Sequence, residues 1–155
     1  MLVEAKENFR TELREWLYGQ CWHSPYAVTL TLRQCITVLN GTQPVKLWLD
    51  DTSASQNFRH FLNKLNRSIY GKAAQRFGKT VTCVTVREGG LGKRWHYHAM
   101  IGFPDAAIQT DLPLVVGDAW RSTQWGYWSI DCQSRIVACV EGQSPLLDNL
   151  KRMSA

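Results

Sequence analysis

The sequence predicts an α+β fold in one domain, with a mainly antiparallel central sheet and flanking helices. Segments in which apolar and polar residues alternate, as in strands, are interspersed with segments whose apolar residues recur at helical spacing. A central sheet covered by helices is the layer arrangement that buries the apolar faces of both kinds of element. A length of 155 residues fits a single domain over residues 1–155, and a hydrophobic content of 45% excludes a disordered chain.

The first third of the chain predicts a helix and then a strand. Residues 4–18 carry apolar side chains on one face and charged side chains on the rest, which is typical of an amphipathic helix. Residues 26–32 alternate large apolar side chains with Ala27, Thr29 and Thr31, which predicts a strand with one polar face. Residues 33–50 contain an Asn-Gly turn signal and a proline that breaks any helix, and their pattern does not decide which element they form.

The next segment predicts a long helix. Ser53 or Ser55 is placed to cap its amino-terminal end. Apolar residues then recur at the 3.6-residue spacing that marks the buried side of a helix; they are Phe58, Phe61, Leu62, Leu65 and Ile69. Gly71 and Gly78 mark weak or terminal positions of this helix.

The second half predicts two long strands, a helix and a short strand. The strands cover Thr80 to Val86 and Trp95 to Phe103, on either side of a glycine-rich turn. The helix covers Leu112 to Trp120, with a proline in its first turn. A short strand follows from Gly126 to Asp131, and Ile136 to Val140 is either a strand or the start of a helix.

The composition excludes a membrane-spanning protein and predicts a cytoplasmic one. No apolar run approaches the ~20 residues that cross a bilayer, and residues 1–16 lack the apolar core of a signal peptide. Five cysteines are dispersed without the paired spacing of a zinc site, which predicts free thiols. They are Cys21, Cys35, Cys83, Cys132 and Cys139.

The positive charge is concentrated in the middle of the chain. The net charge is +5, and the segment from Thr52 to His98 holds nine Lys or Arg residues and one acid, Glu88. Such a segment is the electrostatic footprint of a nucleic-acid partner, although an ordinary solvated basic face has the same composition. Aromatic side chains such as Trp95 and Trp125 are candidates for stacking on bases. The predicted contact residues are Arg59, His60, Lys64, Arg67, Lys93, Arg94 and Trp95.

One stretch predicts a metal site. His96 and His98 are separated by a single residue on a predicted strand, so both rings project from the same face. Glu88 stands before the glycine-rich turn, which can return the preceding strand alongside and bring a carboxylate to the two imidazoles. Such a set can share one divalent ion. The alternative is a strand with two histidines by coincidence.

These residues resemble a known family. The glutamate, the glycine-rich turn and the His-hydrophobic-His segment resemble the metal-binding motif of the HUH endonuclease superfamily, which includes rolling-circle replication initiators, relaxases and transposases of plasmids, phages and other mobile elements. Residues 26–32, with Thr-Leu-Thr at the centre, resemble the first motif of the replication initiators, and residues 57–67 resemble the helix that follows it. The resemblance covers roughly residues 25–130.

The resemblance implies a ferredoxin-like or palm-like sheet and a DNA-nicking activity. In this family a divalent cation, Mn²⁺ or Mg²⁺, polarises the scissile phosphate, and a tyrosine attacks it and stays bonded to the 5′ end. The corresponding region here, Arg135 to Gly142, contains neither tyrosine nor lysine, and Cys139 stands near the expected position. Tyr18 is the other candidate nucleophile, because relaxases carry their tyrosine at the amino-terminal end. Tyr70 and Tyr97 have weaker claims, the latter because it should point into the core.

Three hypotheses therefore follow from the sequence. The first is a metal-dependent nicking protein that acts on single-stranded or hairpin DNA. The second is a binding module that kept the metal and the DNA surface, lost the nucleophile, and regulates a mobile element or inhibits a host DNA-handling protein. The third is a domain in which the two histidines have no shared function.

Overall fold

Four antiparallel strands form the central sheet of the computed structural model, which describes residues 7–8, 11–12, 15–16, 25–90, 92–104, 111–127 and 137–138. The strands are β1 (Pro25–Thr31), β2 (Cys35–Asn40), β3 (Gln43–Trp48), β4 (Thr82–Gly90), β5 (Lys93–Gly102) and β6 (Val137–Ala138). The helices are α1 (Asp51–Tyr70), α2 (Lys72–Phe77) and α3 (Leu112–Arg121). The sheet order is β4-β5-β1-β6, and β2 pairs with β3 in a separate two-stranded sheet. The predicted α+β class is confirmed.

Most predicted elements are present with shifted ends. Residues 7–8, 11–12 and 15–16 are helical, in agreement with the amphipathic pattern of residues 4–18. Strand β4 continues four residues past Val86, because Arg87, Glu88 and Gly90 still pair with β5. Gly126 forms an isolated bridge with Leu32 where a short strand was predicted, and residues 128–131 lie outside the described residues. Within residues 136–140, the described pair is the strand β6.

The hairpin of β2 and β3 occupies residues for which the sequence predicted no element. Asn40 pairs with Gln43, and the two-residue turn between them contains Gly41 at a φ of 65°. A positive φ is the conformation that a tight hairpin turn requires and glycine accepts. Pro44 excludes a helix but is compatible with a strand at the edge of a sheet, and here it pairs with Leu39.

Asp50 caps α1. Its carboxylate accepts a hydrogen bond of 2.7 Å from the Ser53 N–H, and this bond lowers the pKa of Asp50 below its ordinary value of 3.8. The prediction that Ser53 or Ser55 caps the helix is wrong, because Ser53 is the donor to the cap and both serines lie inside the helix. The acid one residue ahead of the helix satisfies a donor that has no partner within the helix.

Helices α1 and α3 cover one face of the central sheet. The ring of Phe58 lies 4.6 Å from that of Tyr97 on β5, and the ring of Phe61 lies 5.4 Å from that of Trp120 on α3. Phe58, Phe61 and Leu65 are buried, as the helical spacing predicted. Tyr97 also points into this core, as predicted, so the residues that alternate with it on β5 face the other side of the sheet.

A buried polar network ties the segment after α3 to the sheet. The Asn57 side chain donates to Thr123 Oγ1 at 3.0 Å and accepts from the Trp125 N–H at 3.0 Å. The Trp120 indole N–H donates to the Thr31 carbonyl at 2.9 Å. Gly126 has no room for a side chain, since a Cβ there would lie 2.0 Å from the Trp120 carbonyl oxygen. These contacts hold residues 125–127 against the edge of β1.

The described helices differ from membrane spans. None of the helices among the described residues combines the length and the apolar character that crossing a bilayer requires.

Candidate metal centre

Strands β4 and β5 bring Glu88, His96 and His98 onto one face of the sheet. Glu88 pairs with His96 and Val86 pairs with His98 in antiparallel register. Directly opposed side chains share a face, as do alternate residues of one strand. The predicted grouping of a carboxylate with two imidazoles is therefore present. The side chains of Glu88, His96 and His98 could hold a metal ion, and we call these three residues the metal group.

A glycine turn makes this register possible. Gly89 follows Glu88 at a φ of 119°, and a Cβ at this position would lie 2.6 Å from the Trp95 Cα. A side chain would push the two strands apart next to the Glu88–His96 pair. The pairing shifts between Glu88 and Gly90, as in a β-bulge, so that β4 turns tightly back into β5.

The three potential ligand atoms form a nearly equilateral triangle. His96 Nε2 and His98 Nε2 are 3.1 Å apart, and each lies 3.4 Å from Glu88 Oε2. Ligands about 2.1 Å from an ion lie about 3.0 Å apart at cis positions of an octahedron and about 3.4 Å apart in a tetrahedron. The spacing therefore fits one face of a coordination polyhedron. Three protein ligands would leave further coordination positions of such an ion for water or a substrate oxygen.

The second nitrogen of each imidazole also has a partner. His96 Nδ1 lies 3.0 Å from the Arg94 carbonyl oxygen, and His98 Nδ1 lies 3.2 Å from Thr29 Oγ1. A carbonyl oxygen only accepts, so the Nδ1 of His96 carries the proton and its Nε2 has the lone pair in the neutral ring. The hydroxyl of Thr29 can accept in the same way. Outer contacts of this kind orient histidines that ligate metals.

Electrostatics favour a neutral His98. Burial, and after it the neighbouring His96 ring, lower the pKa of His98 below its ordinary value of 6.5, and Glu88 opposes this shift. A neutral imidazole is the form that binds a metal ion. Two Nε2 lone pairs at 3.1 Å repel each other unless a proton or a cation lies between them. The group is therefore suited to a cation.

The polar face of β1 lies beside the histidines. Thr29 pairs directly with His98 and Thr31 pairs directly with His96. The predicted polar face of this strand is thus the neighbour of the metal group. The role of Thr29 as a partner of His98 was missed by sequence reasoning, although the alternation of residues 26–32 placed it on a polar face.

Tyr127 and Arg94 extend this face beyond β1. The Tyr127 N–H donates to the Thr31 carbonyl at 2.9 Å, which holds Tyr127 against the end of β1, beyond the residues of β1 that pair with β6. The Arg94 guanidinium stacks on the Tyr127 ring, 4.8 Å from its centre. Arg94 alternates with His96 on β5, so this stacking places the Tyr127 ring on the same side of the sheet as the metal group.

The basic helix lies on the other side of the sheet. α1 packs on the face that carries Tyr97, whereas His96 and His98 face away from it. Arg59, His60 and Arg67 are exposed and Lys64 is half-buried, all on α1. These predicted contact residues therefore lie on the face of the sheet opposite His96 and His98, a relation that the sequence could not give because it does not show which face of the sheet the helix covers.

Two tryptophans are less available than predicted. Trp95 lies on the Tyr97 side of β5, is half-buried, and has the Arg87 guanidinium over its ring at 4.8 Å. Trp125 is buried and cannot stack on a base from the surface. Lys93 and Arg94 are also predicted DNA contacts. Both are exposed next to the β4–β5 turn, in the hairpin that carries the metal group.

The predicted nucleophiles are not tested by the structure. Tyr18 and Cys139 lie outside the described residues. Tyr70 is on α1 and donates to the Thr80 carbonyl at 3.4 Å, and Tyr97 is in the core. Of the tyrosines that the structure describes, Tyr127 is the one whose ring lies on the side of the metal group.

Comparison of the chain with protein-family models, with curated proteins and with solved structures finds no match.

Proposed function

We propose that this chain is a metal-dependent HUH-type protein that binds and nicks single-stranded or hairpin DNA, similar to the rolling-circle replication initiators of plasmids and phages. The observation that carries the proposal is the group of Glu88, His96 and His98 on adjacent strands, with Nε2 and Oε2 atoms 3.1–3.4 Å apart. The placement of the Thr-Leu-Thr strand beside the histidines supports it, because the same two motifs carry the family resemblance.

The proposed cofactor is Mn²⁺ or Mg²⁺, with Mn²⁺ bound more tightly. Both ions accept carboxylate and water ligands, but two imidazole ligands favour Mn²⁺, which is the softer of the two ions. When bound, such an ion supplies positive charge that stabilises the negative charge developing on the oxygens of a scissile phosphate. Glu88, His96 and His98 would hold it through Oε2 and the two Nε2 atoms.

The surrounding residues have supporting roles in this proposal. Thr29 and the Arg94 carbonyl hold the two imidazole rings through their Nδ1 atoms. The Arg94 side chain and Lys93 are cations at the same end of the hairpin, where they can contact the phosphates of a bound strand. Tyr127 presents a phenol on this side of the sheet and joins Tyr18 and Cys139 as a candidate nucleophile.

A second candidate function is a binding module without nicking activity. The observation that favours it is in the sequence: residues 128–155 contain no tyrosine, although the family resemblance places the nucleophile there. Such a module would keep the metal group and bind DNA, and it would act on a mobile element or on a host protein that handles DNA.

One experiment separates the two functions. The protein is incubated in excess over end-labelled single-stranded and hairpin oligonucleotides with Mn²⁺, and cleavage and binding are measured together. Cleavage that disappears in the His96→Ala/His98→Ala variant and in EDTA supports the nicking protein. Binding without cleavage supports the binding module. If the protein neither binds nor cleaves these oligonucleotides, both proposed functions are contradicted.

A further inference from the structure

Residues 71–79, which contain α2, form a short segment whose two ends are held at the last turns of α1. The Asn66 side chain, itself buried, accepts a hydrogen bond of 2.8 Å from the Val81 N–H. One helical turn later, the Tyr70 hydroxyl donates to the Thr80 carbonyl at 3.4 Å. Residues 71–79 therefore leave α1 and return to it, so that α2 stands beside the carboxyl-terminal end of α1.

This end of the molecule is strongly cationic. Between Thr52 and Arg87 the sequence contains seven Lys or Arg residues and no acid. Arg87 is engaged by Asp51 at the other end of α1. Four of the remaining cations lie in the last turn of α1 or in residues 71–79, and all four side chains are exposed; they are Arg67, Lys72, Arg76 and Lys79.

An exposed aromatic ring stands among these cations. Phe77, the last residue of α2, is 75% exposed and lies between Arg76 and Lys79 in the chain. The left-handed Gly78, at a φ of 62°, ends the helix directly after it. An exposed phenylalanine side chain contributes little to the stability of the fold, because apolar side chains stabilise a protein when they are buried. Its exposure among cations is the pattern found in proteins that bind single strands, in which aromatic rings stack on bases and cations contact phosphates.

The patch is separate from the metal group. α1 covers the Tyr97 face of the sheet, whereas His96 and His98 lie on the opposite face. The α2 patch, which we define as Arg67, Lys72, Arg76, Phe77 and Lys79, thus belongs to the helical side of the molecule. Metal binding and contacts to this patch involve different elements.

We propose that the α2 patch binds single-stranded nucleic acid, with a base stacked on Phe77 and the neighbouring phosphates on the four cations. A single strand fits better than a duplex, because its bases are free to stack on a side chain that protrudes from the surface. A lipid surface fits less well, since the patch offers one apolar side chain, whereas interfacial binding scales with the buried apolar area. This inference goes beyond the proposed nicking function and does not depend on the metal centre.

The test measures binding of a labelled 20-nucleotide oligo-dT by fluorescence anisotropy in EDTA, over a range of salt concentrations. We expect Phe77→Ala to weaken binding about tenfold without changing the salt dependence, because stacking involves no charge. Phe77→Trp should keep the affinity or raise it. We expect Lys79→Glu to weaken binding. It should also make the negative slope of log K against log salt shallower by about 0.7, the contribution of one phosphate contact on a single strand.

The β2–β3 hairpin offers matched controls. Leu39 is 74% exposed, so Leu39→Ala removes an apolar side chain of similar exposure to that of Phe77. Lys46→Glu makes the same charge reversal as Lys79→Glu, at an exposed lysine outside the patch. Both controls should bind as the wild type does.

Three results would overturn the inference. The first is wild-type affinity in Phe77→Ala, which removes the stacking. The second is an equal loss of affinity in Lys46→Glu and Lys79→Glu, which would show that binding depends only on the net charge of the protein. The third is equally tight binding of duplex DNA or of poly-glutamate with the same dependence on Phe77, which points to another partner. Each result leaves the nicking function intact, because that function is tested through the metal and cleavage.

Discussion

The hydroxyl oxygen of Thr29 lies 3.2 Å from Nδ1 of His98, directly across the pairing of β1 with β5. This contact joins the polar face of one strand to the metal group on its neighbour. It occupies the nitrogen of His98 that does not face His96 and Glu88, and so leaves Nε2 directed at the point where the three ligand atoms converge.

The first prediction concerns the metal itself. His96→Ala/His98→Ala should bind Mn²⁺ at least tenfold more weakly than the wild type in calorimetric titration, because two of three protein ligands are removed. His60→Ala is the matched control, since His60 is an exposed histidine on the far side of the sheet. Equal Mn²⁺ affinity in the wild type and the double variant would show that the group holds no ion.

The second prediction concerns Thr29. Thr29→Val keeps the shape of the side chain but removes the hydroxyl, and we expect Mn²⁺ affinity to fall about tenfold to a hundredfold, as for other outer partners of metal-bound histidines. Thr29→Ser should restore it. Thr31→Val is the control on the same face of the strand, because the His96 ring is held by the Arg94 carbonyl instead. The contact has no role in binding if both valine variants behave alike.

The third prediction is a dependence on pH. Because the pKa of His98 is lowered in the folded protein, the unfolded chain binds more protons than the folded chain as pH falls below 6.5. The free energy of unfolding should therefore fall with pH in this window, and Mn²⁺ affinity should fall with it as protons compete for the imidazoles. Urea denaturation and calorimetry between pH 7.5 and 5.5 measure the two effects.

His98→Ala should remove this contribution to the pH dependence of stability, whereas His60→Ala should leave it in place. Stability that rises as the pH falls from 6.5 would contradict the lowered pKa of His98.

The fourth prediction concerns the turn behind the metal group. Gly89→Ala should lower the free energy of unfolding by about 2 kcal/mol or more, because it combines a positive φ with a clash against the backbone of β5. It should also weaken Mn²⁺ binding by displacing Glu88. Gly92→Ala is the control, since Gly92 has a φ of 84° but open space around its Cα, and a loss of about 1 kcal/mol is expected. Equal losses would mean that strain alone, without the clash, sets the cost.

The fifth prediction concerns the nucleophile. Any covalent protein–DNA adduct should map outside residues 128–155 if it is formed by a tyrosine, because that segment contains none. We expect mass spectrometry to place it on Tyr127 or Tyr18, and the corresponding phenylalanine variant to abolish it. An adduct on Cys139 would show instead that a thiol replaces the phenol. Mn²⁺-dependent nicking without any adduct would identify water as the attacking group.

Much of the metal group could be predicted from the sequence, because its geometry is local. Two histidines at alternate positions of a strand share a face whatever the rest of the fold does, and a glycine turn limits how the preceding strand can return. The same alternation predicted the polar face of residues 26–32. The buried side of α1 followed from helical spacing, and it needed no knowledge of what it would pack against.

Relations between distant elements were decided only by the tertiary structure. The sequence showed that α1 is cationic, but packing against Tyr97 determined that its cations lie away from His96 and His98. Asn57 and Thr123 are far apart in the chain, and their hydrogen bond helps to place Tyr127 beside Thr31.

The physical reason is the range of the forces that set each feature. Backbone geometry repeats every two residues in a strand and every 3.6 in a helix, so a short window of sequence determines which side chains share a face. The face of the sheet that a helix covers depends on side chains brought together from the whole chain, and on the burial that this packing achieves. The sequence by itself therefore determined which three side chains form the candidate metal group, and the tertiary structure decided what surrounds them.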